Sequence, residues 1–347
     1  LLNHKALTAL GWQPFFQQAC TALLASGASI FIPARVVELY RTEITVTTDS
    51  ETFNLTLLPS MPEMVVGDWL LLNNQKQFLH LLERKTSFSR KSAGSQLKKQ
   101  FIAANVDTAF IVSSMNEDFN LNRIERFLAL VNESGAKPVI ILSKKDKAET
   151  PEAFVHAIQS LDANLSVEAV NCLDTQSKLV LSPWLTNGTT IAMLGSSGVG
   201  KSTLINTLLG ENRQATADVR ADDKKGRHTT TRRSLIALNT GGLILDTPGI
   251  RELQLTDCKT GIAMTFSDIE AYRLQCQFNN CKHQVEPGCA VQEAILSGDL
   301  DKRRLDNYLK LREEEVLNAS RFSERRSTDK TRHKQHKRTQ GKYLKSK

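Results

Sequence analysis

The sequence has no long apolar run. Stretches such as Val139 to Leu142 have the length of a strand, whereas a membrane-spanning helix needs roughly 18 to 20 apolar residues, so no membrane span is expected. The basic-then-apolar opening of a signal peptide is missing as well. Cysteine is scarce, six in 347 residues, which argues against a disulfide framework and for a cytoplasmic setting. Cys20, Cys172 and Cys258 are scattered and read as buried or inert thiols. No internal repeat is visible. Hydrophobic residues at 40% and charged residues at 24% exclude a wholly disordered or fibrous chain, and the length suits two to three domains.

An excess of positive charge is lacking from most of the chain although the net charge is +8. Residues Arg321 to Lys347 carry eleven Lys or Arg against two acids, so the remainder is close to neutral. A tail of this kind, which also holds His333 and His336, reads as a solvated, disordered arm for a polyanion such as RNA or the ribosome. The plain alternative is a tail that aids solubility.

The segments between differ in pattern. Residues 1–30 predict one or two short helices, interrupted at Gly11 and Pro14, with no evident chemistry. Residues 31–86 hold several short β-branched runs without a helix between them, which predicts a small β-barrel, of the oligonucleotide-binding (OB) type or a passive spacer. A basic, Ser/Gly-rich linker from Arg84 to Lys99 follows; it could touch phosphate or be merely solvated. Strand and helix patterns alternate over 87–257, which predicts a mostly parallel sheet with helices on both faces. Residues 258–320 read as a helical module around a cysteine cluster, and 321–347 form the tail.

Gly195-Ser196-Ser197-Gly198-Val199-Gly200-Lys201-Ser202 fits G-x-x-x-x-G-K-S, followed by Thr203 and an amphipathic helix. The glycines let successive N–H groups turn inward around phosphates, the helix adds its positive end, Lys201 reaches the outer phosphates and Ser202 offers a hydroxyl to magnesium. Asp246-Thr247-Pro248-Gly249 ends a strand about forty residues later. Asp246 can hold magnesium through water, and the Gly249 N–H can meet the terminal phosphate. Between them, Gly226-Arg227-His228-Thr229-Thr230-Thr231 suits a nucleotide-sensing switch in which one threonine, Thr230 being the candidate, joins the magnesium shell. Upstream lies Ser143-Lys144-Lys145-Asp146. The Asp146 carboxylate can accept from guanine's ring N–H and exocyclic amine, and the Lys144 stem can pack on the base. This resembles the N/T-K-x-D guanine motif of GTPases, with Ser143 at the Asn or Thr position. Asn171-Cys172 stands where the weaker S-A base-contact motif would fall and departs from it.

Cys276, Cys281, His283 and Cys289 offer three thiolates and an imidazole within fourteen residues. That set suits a closed, structural zinc site, one ion per chain, with no open position for catalysis. The alternative is a group of inert thiols.

The order here is base recognition, phosphate loop, switch threonines, then D-T-P-G, a circular permutation of the usual GTPase order. A permuted GTPase after a small barrel and before a Cys/His cluster resembles the ribosome-small-subunit-dependent GTPase A (RsgA, also YjeQ) family. The matching residues are Asn105-Val106-Asp107, Ser143 to Asp146, the phosphate loop, Gly226 to Thr231, Asp246 to Gly249, and the cysteine cluster with Glu286-Pro287-Gly288. The resemblance implies a multidomain protein: an OB-like barrel, a permuted α/β GTPase and a helical zinc domain. It implies a cytoplasmic monomer that binds the small ribosomal subunit and its rRNA, hydrolyses GTP to GDP and phosphate in late maturation, and is stimulated by the subunit.

Many GTPases orient the attacking water with a glutamine after D-x-x-G. Ile250 occupies that position here. His228 is the candidate in its place, as the family pattern suggests, with Lys201 as its catalytic partner on the phosphates; alternatively His228 contacts RNA or folds within the switch. Two other readings remain open: an rRNA-binding protein that uses the nucleotide as a ligand with negligible turnover, and a P-loop ATPase, against which Asp146 argues.

Overall fold

Residues 3–25, 31–91, 99–211, 233–247 and 258–318 are described by the computed structural model. His228, Thr229, Thr230, Thr231 and Gly249, and the basic tail, lie outside the described residues. The chain divides into two compact units, Leu1–Ser89 with Phe101–Leu253, and Arg90–Gln100 with Gln254–Lys347.

The first unit opens with α1 (His4–Ala9) and α2 (Pro14–Ala25). The Asn3 side chain caps α1, and Pro14 starts α2, where its missing N–H costs nothing. Five antiparallel strands follow: β1 (Ile32–Leu39), β2 (Glu43–Thr47), β3 (Thr52–Thr56), β4 (Trp69–Leu72) and β5 (Phe78–Leu81). Their order is β3-β2-β1-β4-β5. β1 serves both halves because it pairs with β4 through Ile32–Arg35 and with β2 from Arg35 onward, bending at a bulge between Val36 and Glu38. Side chains alternate along β4. Leu70 and Leu72 point into one core with Val36, Ile44 and Val46, joined by Phe53, Leu55, Phe78 and Leu81 from the outer strands. Trp69 and Leu71 point the other way, onto Leu7, Trp12, Phe16 and Cys20 of the N-terminal segment. The N-terminal segment, without evident chemistry of its own, therefore covers an apolar sheet face.

The basic linker is structured where it is described. β6 (Ser87–Lys91) and β7 (Lys99–Ala104) pair as a two-stranded sheet, anchored by buried Phe88, Ile102 and Ala103. Its Lys/Ser/Gly composition hid that alternation. Next come β8 (Thr108–Ser114), α3 (Leu121–Ser134), β9 (Lys137–Ser143), α4 (Pro151–Gln159), β10 (Val167–Ala169), α5 (Ser177–Leu181), β11 (Thr190–Leu194), α6 (Lys201–Leu209), β12 (Arg233–Ala237) and β13 (Leu243–Asp246). Gly135 ends α3 in the left-handed region. Strands β10-β9-β8-β11-β13 are parallel, and β12 runs antiparallel beside β13. β12 also pairs with β1, Glu38 opposite Ser234 and Leu39 opposite Arg233. The five antiparallel strands and the parallel strands thus share one eleven-stranded sheet.

The second unit contains α7 (Lys259–Thr265), α8 (Ser267–Arg273), α9 (Ala290–Ser297) and a helix over 302–318. Arg304, 4% exposed, joins two of them: it forks onto Asp268 at 2.7 and 2.9 Å and donates to Thr265 O at 2.8 Å. Tyr308 OH donates to Glu270 at 2.6 Å. Among the described residues, no helix is long and apolar enough to cross a membrane.

Candidate functional site

In an open parallel sheet, ligands sit beyond the carboxyl ends of the strands. The base motif leaves the carboxyl end of β9, the phosphate loop that of β11, and Asp246 closes β13. In the sheet, β8 lies between β9 and β11, and β13 is next to β11. The base motif and phosphate loop are thus two strand spacings apart, about 10 Å. Chain order is permuted, but spatial order is set by the pairing.

The loop's conformation requires its glycines. Gly195 has φ +141, and a Cβ there would strike the carbonyl of Val112 on β8. Gly200, φ +99, starts α6, and a Cβ on it would lie 3.3 Å from Cys172 Sγ and 3.8 Å from Ser143 Cβ. Lys201 is buried, its Nζ donating to Gly195 O at 2.7 Å and to Ser196 O. Ser197 and Gly198 are exposed at the tip, while Val199 is buried below.

Ser143 is fully buried, and its hydroxyl donates to Val199 O in the phosphate loop at 2.6 Å, with Ser113 O 3.3 Å away. This serine ties the base motif directly to the phosphate loop. Lys144 follows in the left-handed region, φ 60, and Lys145 to Lys147 form a single 3-10 turn that leaves Asp146 exposed. Lys145 N donates to Val170 O at 3.3 Å.

Cys172, set aside on sequence grounds, lies within this constellation. Its Sγ packs against Gly200, and its carbonyl accepts from Thr207 Oγ1 of α6 at 2.6 Å. Burial pushes its thiol up to about 11; the nearby Asp146 carboxylate adds to the rise and Lys144 opposes it. Asn171 stays local, accepting from Leu173 N and Ser177 Oγ. The sequence signal for Cys172 was its place where the S-A base-contact motif would fall, weakened because Asn171-Cys172 departs from that motif.

Asn105-Val106-Asp107 lies at the opposite, amino end of the parallel strands. Asp107 accepts from Thr190 N at 2.9 Å and from Gln13 Nε2 at 2.6 Å, at the amino end of β11. Arg35, 1% exposed, donates to Asn105 O at 3.1 Å, to Thr190 Oγ1 at 2.9 Å and to Leu10 O. Burial lowers its guanidinium to about 10 against the pull of Asp107 and Asp68. This motif joins the N-terminal segment and strand β1 to the parallel strands.

The Ser202 hydroxyl and Asp246 carboxylate are half-buried oxygen donors beside the loop, the hard donor type that magnesium takes. In the second unit the ligand atoms of Cys276, Cys281, His283 and Cys289 all lie within 4.8 Å of one another. His283 Nδ1 is 3.6 Å from Cys276 Sγ and 3.5 Å from Cys289 Sγ, and those sulfurs are 4.0 Å apart. A tetrahedral zinc ion with its usual bond lengths asks for about 3.8 Å between sulfurs and about 3.6 Å from sulfur to nitrogen, so the group fits such an ion. The Glu286 carboxylate accepts from the N–H groups of Lys282 (2.9 Å), Gln284 (3.0 Å) and Val285 (3.1 Å), bonds that hold it down at about 2 and brace the ligand loop.

Comparison with known proteins agrees with these features. A family model described as RsgA GTPase matches residues 81–256. The protein named small ribosomal subunit biogenesis GTPase RsgA 2 from Vibrio vulnificus is 51% identical over 321 residues, covering 92% of this chain and 91% of its own. Its counterpart named RsgA from Xanthomonas campestris pv. campestris is 43% identical over 336 residues, with 93% and 92% covered. Among solved structures, YjeQ from Thermotoga maritima aligns with TM-score 0.61 at 23% identity over 81% of this chain and 97% of that one. YloQ, described as a circularly permuted GTPase, aligns with TM-score 0.58 at 22% identity over 84% and 96%. With its permuted motifs on one sheet edge and relatives this similar over nearly its whole length, the chain belongs to the RsgA GTPase family.

Proposed function

We propose that this GTPase acts on the small ribosomal subunit, hydrolysing GTP to GDP and phosphate late in that subunit's maturation and turning over faster when bound to it. The observation that carries a single guanine nucleotide site is the Ser143–Val199 hydrogen bond, which makes base motif and phosphate loop one unit. Asp146 would accept from the guanine edge, with Lys144 and Lys145 beside it. Residues Gly195 to Thr203 would cradle the phosphates, and the Gly249 N–H would meet the terminal one. Magnesium, when bound, neutralises charge on the outer phosphates; Ser202, Thr230 and Asp246 would hold it. His228 would orient the attacking water while Lys201 steadies charge building on the phosphates, and Thr229 and Thr231 would flank the switch. Zinc, one ion per chain, would hold the Cys276–Cys281–His283–Cys289 loop in shape.

The strand order β3-β2-β1-β4-β5 suits an OB barrel. With the basic tail, it would contact rRNA. Relatives named for small-subunit biogenesis support that partner, and the protein would work in the cytoplasm as a monomer. The measurement is GTP turnover by the full chain with small subunits, large subunits and neither. Stimulation by small subunits alone is expected. Equal, negligible turnover in all three would favour the alternative, an rRNA-binding protein that uses the nucleotide as a ligand.

A further inference from the structure

Two cations converge on one residue of the phosphate loop. Lys201 Nζ donates to the backbone carbonyl of Ser196, and the Arg123 guanidinium donates through Nη1 to the Ser196 hydroxyl oxygen at 3.0 Å. Arg123 lies in the first turn of α3 and is half-buried. Its backbone is fixed by the cap, Arg123 N donating to Asn120 Oδ1 at 3.0 Å. α3 itself is rooted by buried Ile124, Leu128 and Val131, so the guanidinium is delivered from a rigid element. Neither the phosphate-loop motif nor the base motif contains it.

We propose that Arg123 is a positioning residue of the phosphate site, one that holds the loop through Ser196 and places a permanent positive charge beside the terminal phosphate, favouring triphosphate over diphosphate. A guanidinium stays charged at every working pH. Beside Lys201 it creates a local excess of positive charge that an anion relieves, and the half-buried setting screens that field less than open water would. A triphosphate carries one more negative charge than a diphosphate, so it gains more from the added cation. A mere strut between α3 and the loop would instead affect both nucleotides alike. The inference rests on guanine nucleotides occupying this loop.

The test uses the full chain with magnesium, titrating GDP and a non-hydrolysable GTP analogue by fluorescence. Arg123→Ala is expected to weaken the triphosphate analogue by about tenfold and GDP by no more than about threefold. Arg123→Lys, which keeps the charge, is expected to retain most of the triphosphate preference. Adding Ser196→Ala to Arg123→Ala is expected to cost little more, because both act on one contact. Should Arg123→Ala fail to fold, Arg123→Gln, which keeps most of the volume, is read in the same way. Equal loss for both nucleotides, or no loss for either at an unchanged melting temperature, overturns the role. A parent chain that binds no guanine nucleotide refutes the GTP site itself, a result separable from any effect of Arg123.

Discussion

Ser143 departs from the motif's usual residue yet still makes a buried contact with the phosphate loop. Asparagine or threonine stands at this position in the usual pattern, yet the serine hydroxyl reaches Val199 O at 2.6 Å from a fully buried site. Ser143→Ala leaves that loop carbonyl without its donor, which costs about 1 to 3 kcal/mol. Guanine nucleotide affinity, measured by calorimetry, is expected to fall at least about fivefold while the fold persists. Cys172 shows the opposite lesson. Its position matched that of the S-A motif but its residue type did not, and its place against Gly200 emerges from tertiary packing. Burial raises the Cys172 and Cys20 thiols from 9.0 to about 11. Below pH 9 both folded and unfolded chains keep these protons. Between about 9 and 11 the unfolded chain loses protons that the folded one retains, so stability falls as pH rises through that window. Denaturant melts at pH 8 and 10.5 should show the drop, and a Cys20→Ala/Cys172→Ala variant should show less of it.

Elements with local signals were legible in the sequence. The helix from Leu121, its Gly135 stop, and the phosphate loop between an apolar strand and α6 all follow from periodicity and glycine placement. Pairings between distant segments carry no such signal. β1 meets β12 through Glu38 and Leu39, residues whose sequence context says nothing of Ser234 and Arg233. The ribbon of β6 and β7 was masked by its charged composition. The N-terminal helices were visible, but their role depends on Trp69 presenting its second face. Trp12 packs edge-on to Trp69 with ring centroids 4.7 Å apart. Trp12→Ala is expected to destabilise the first unit by about 3 to 5 kcal/mol, read as a lower denaturant midpoint; a change within about 0.5 kcal/mol would show that α1 and α2 are dispensable cover.

At the scale of the whole molecule, permutation leaves the sheet's spatial order intact. Strands β9, β8, β11 and β13 bring Ser143, the phosphate loop and Asp246 to the carboxyl end of the parallel strands, whichever strand the chain enters first. What the permutation changes is the neighbourhood of the ends. In the sequence Gly226 to Thr231 now precede β12, which pairs directly with the antiparallel strand β1, and the D-T-P-G segment precedes the helical unit with its Cys/His cluster. All of this presupposes that a carboxylate encoded before the lysine loop reads the base held by that loop. Asp146→Asn addresses it directly, since an amide can donate to the second carbonyl of xanthine but loses an acceptor for guanine's amine. Titrated with GDP and xanthosine diphosphate, the variant should bind the guanine nucleotide at least about a hundredfold more weakly and the xanthine nucleotide more tightly than the parent does. Unchanged affinity for both would mean that Asp146 does not face the base and that the reversed motifs do not form one pocket.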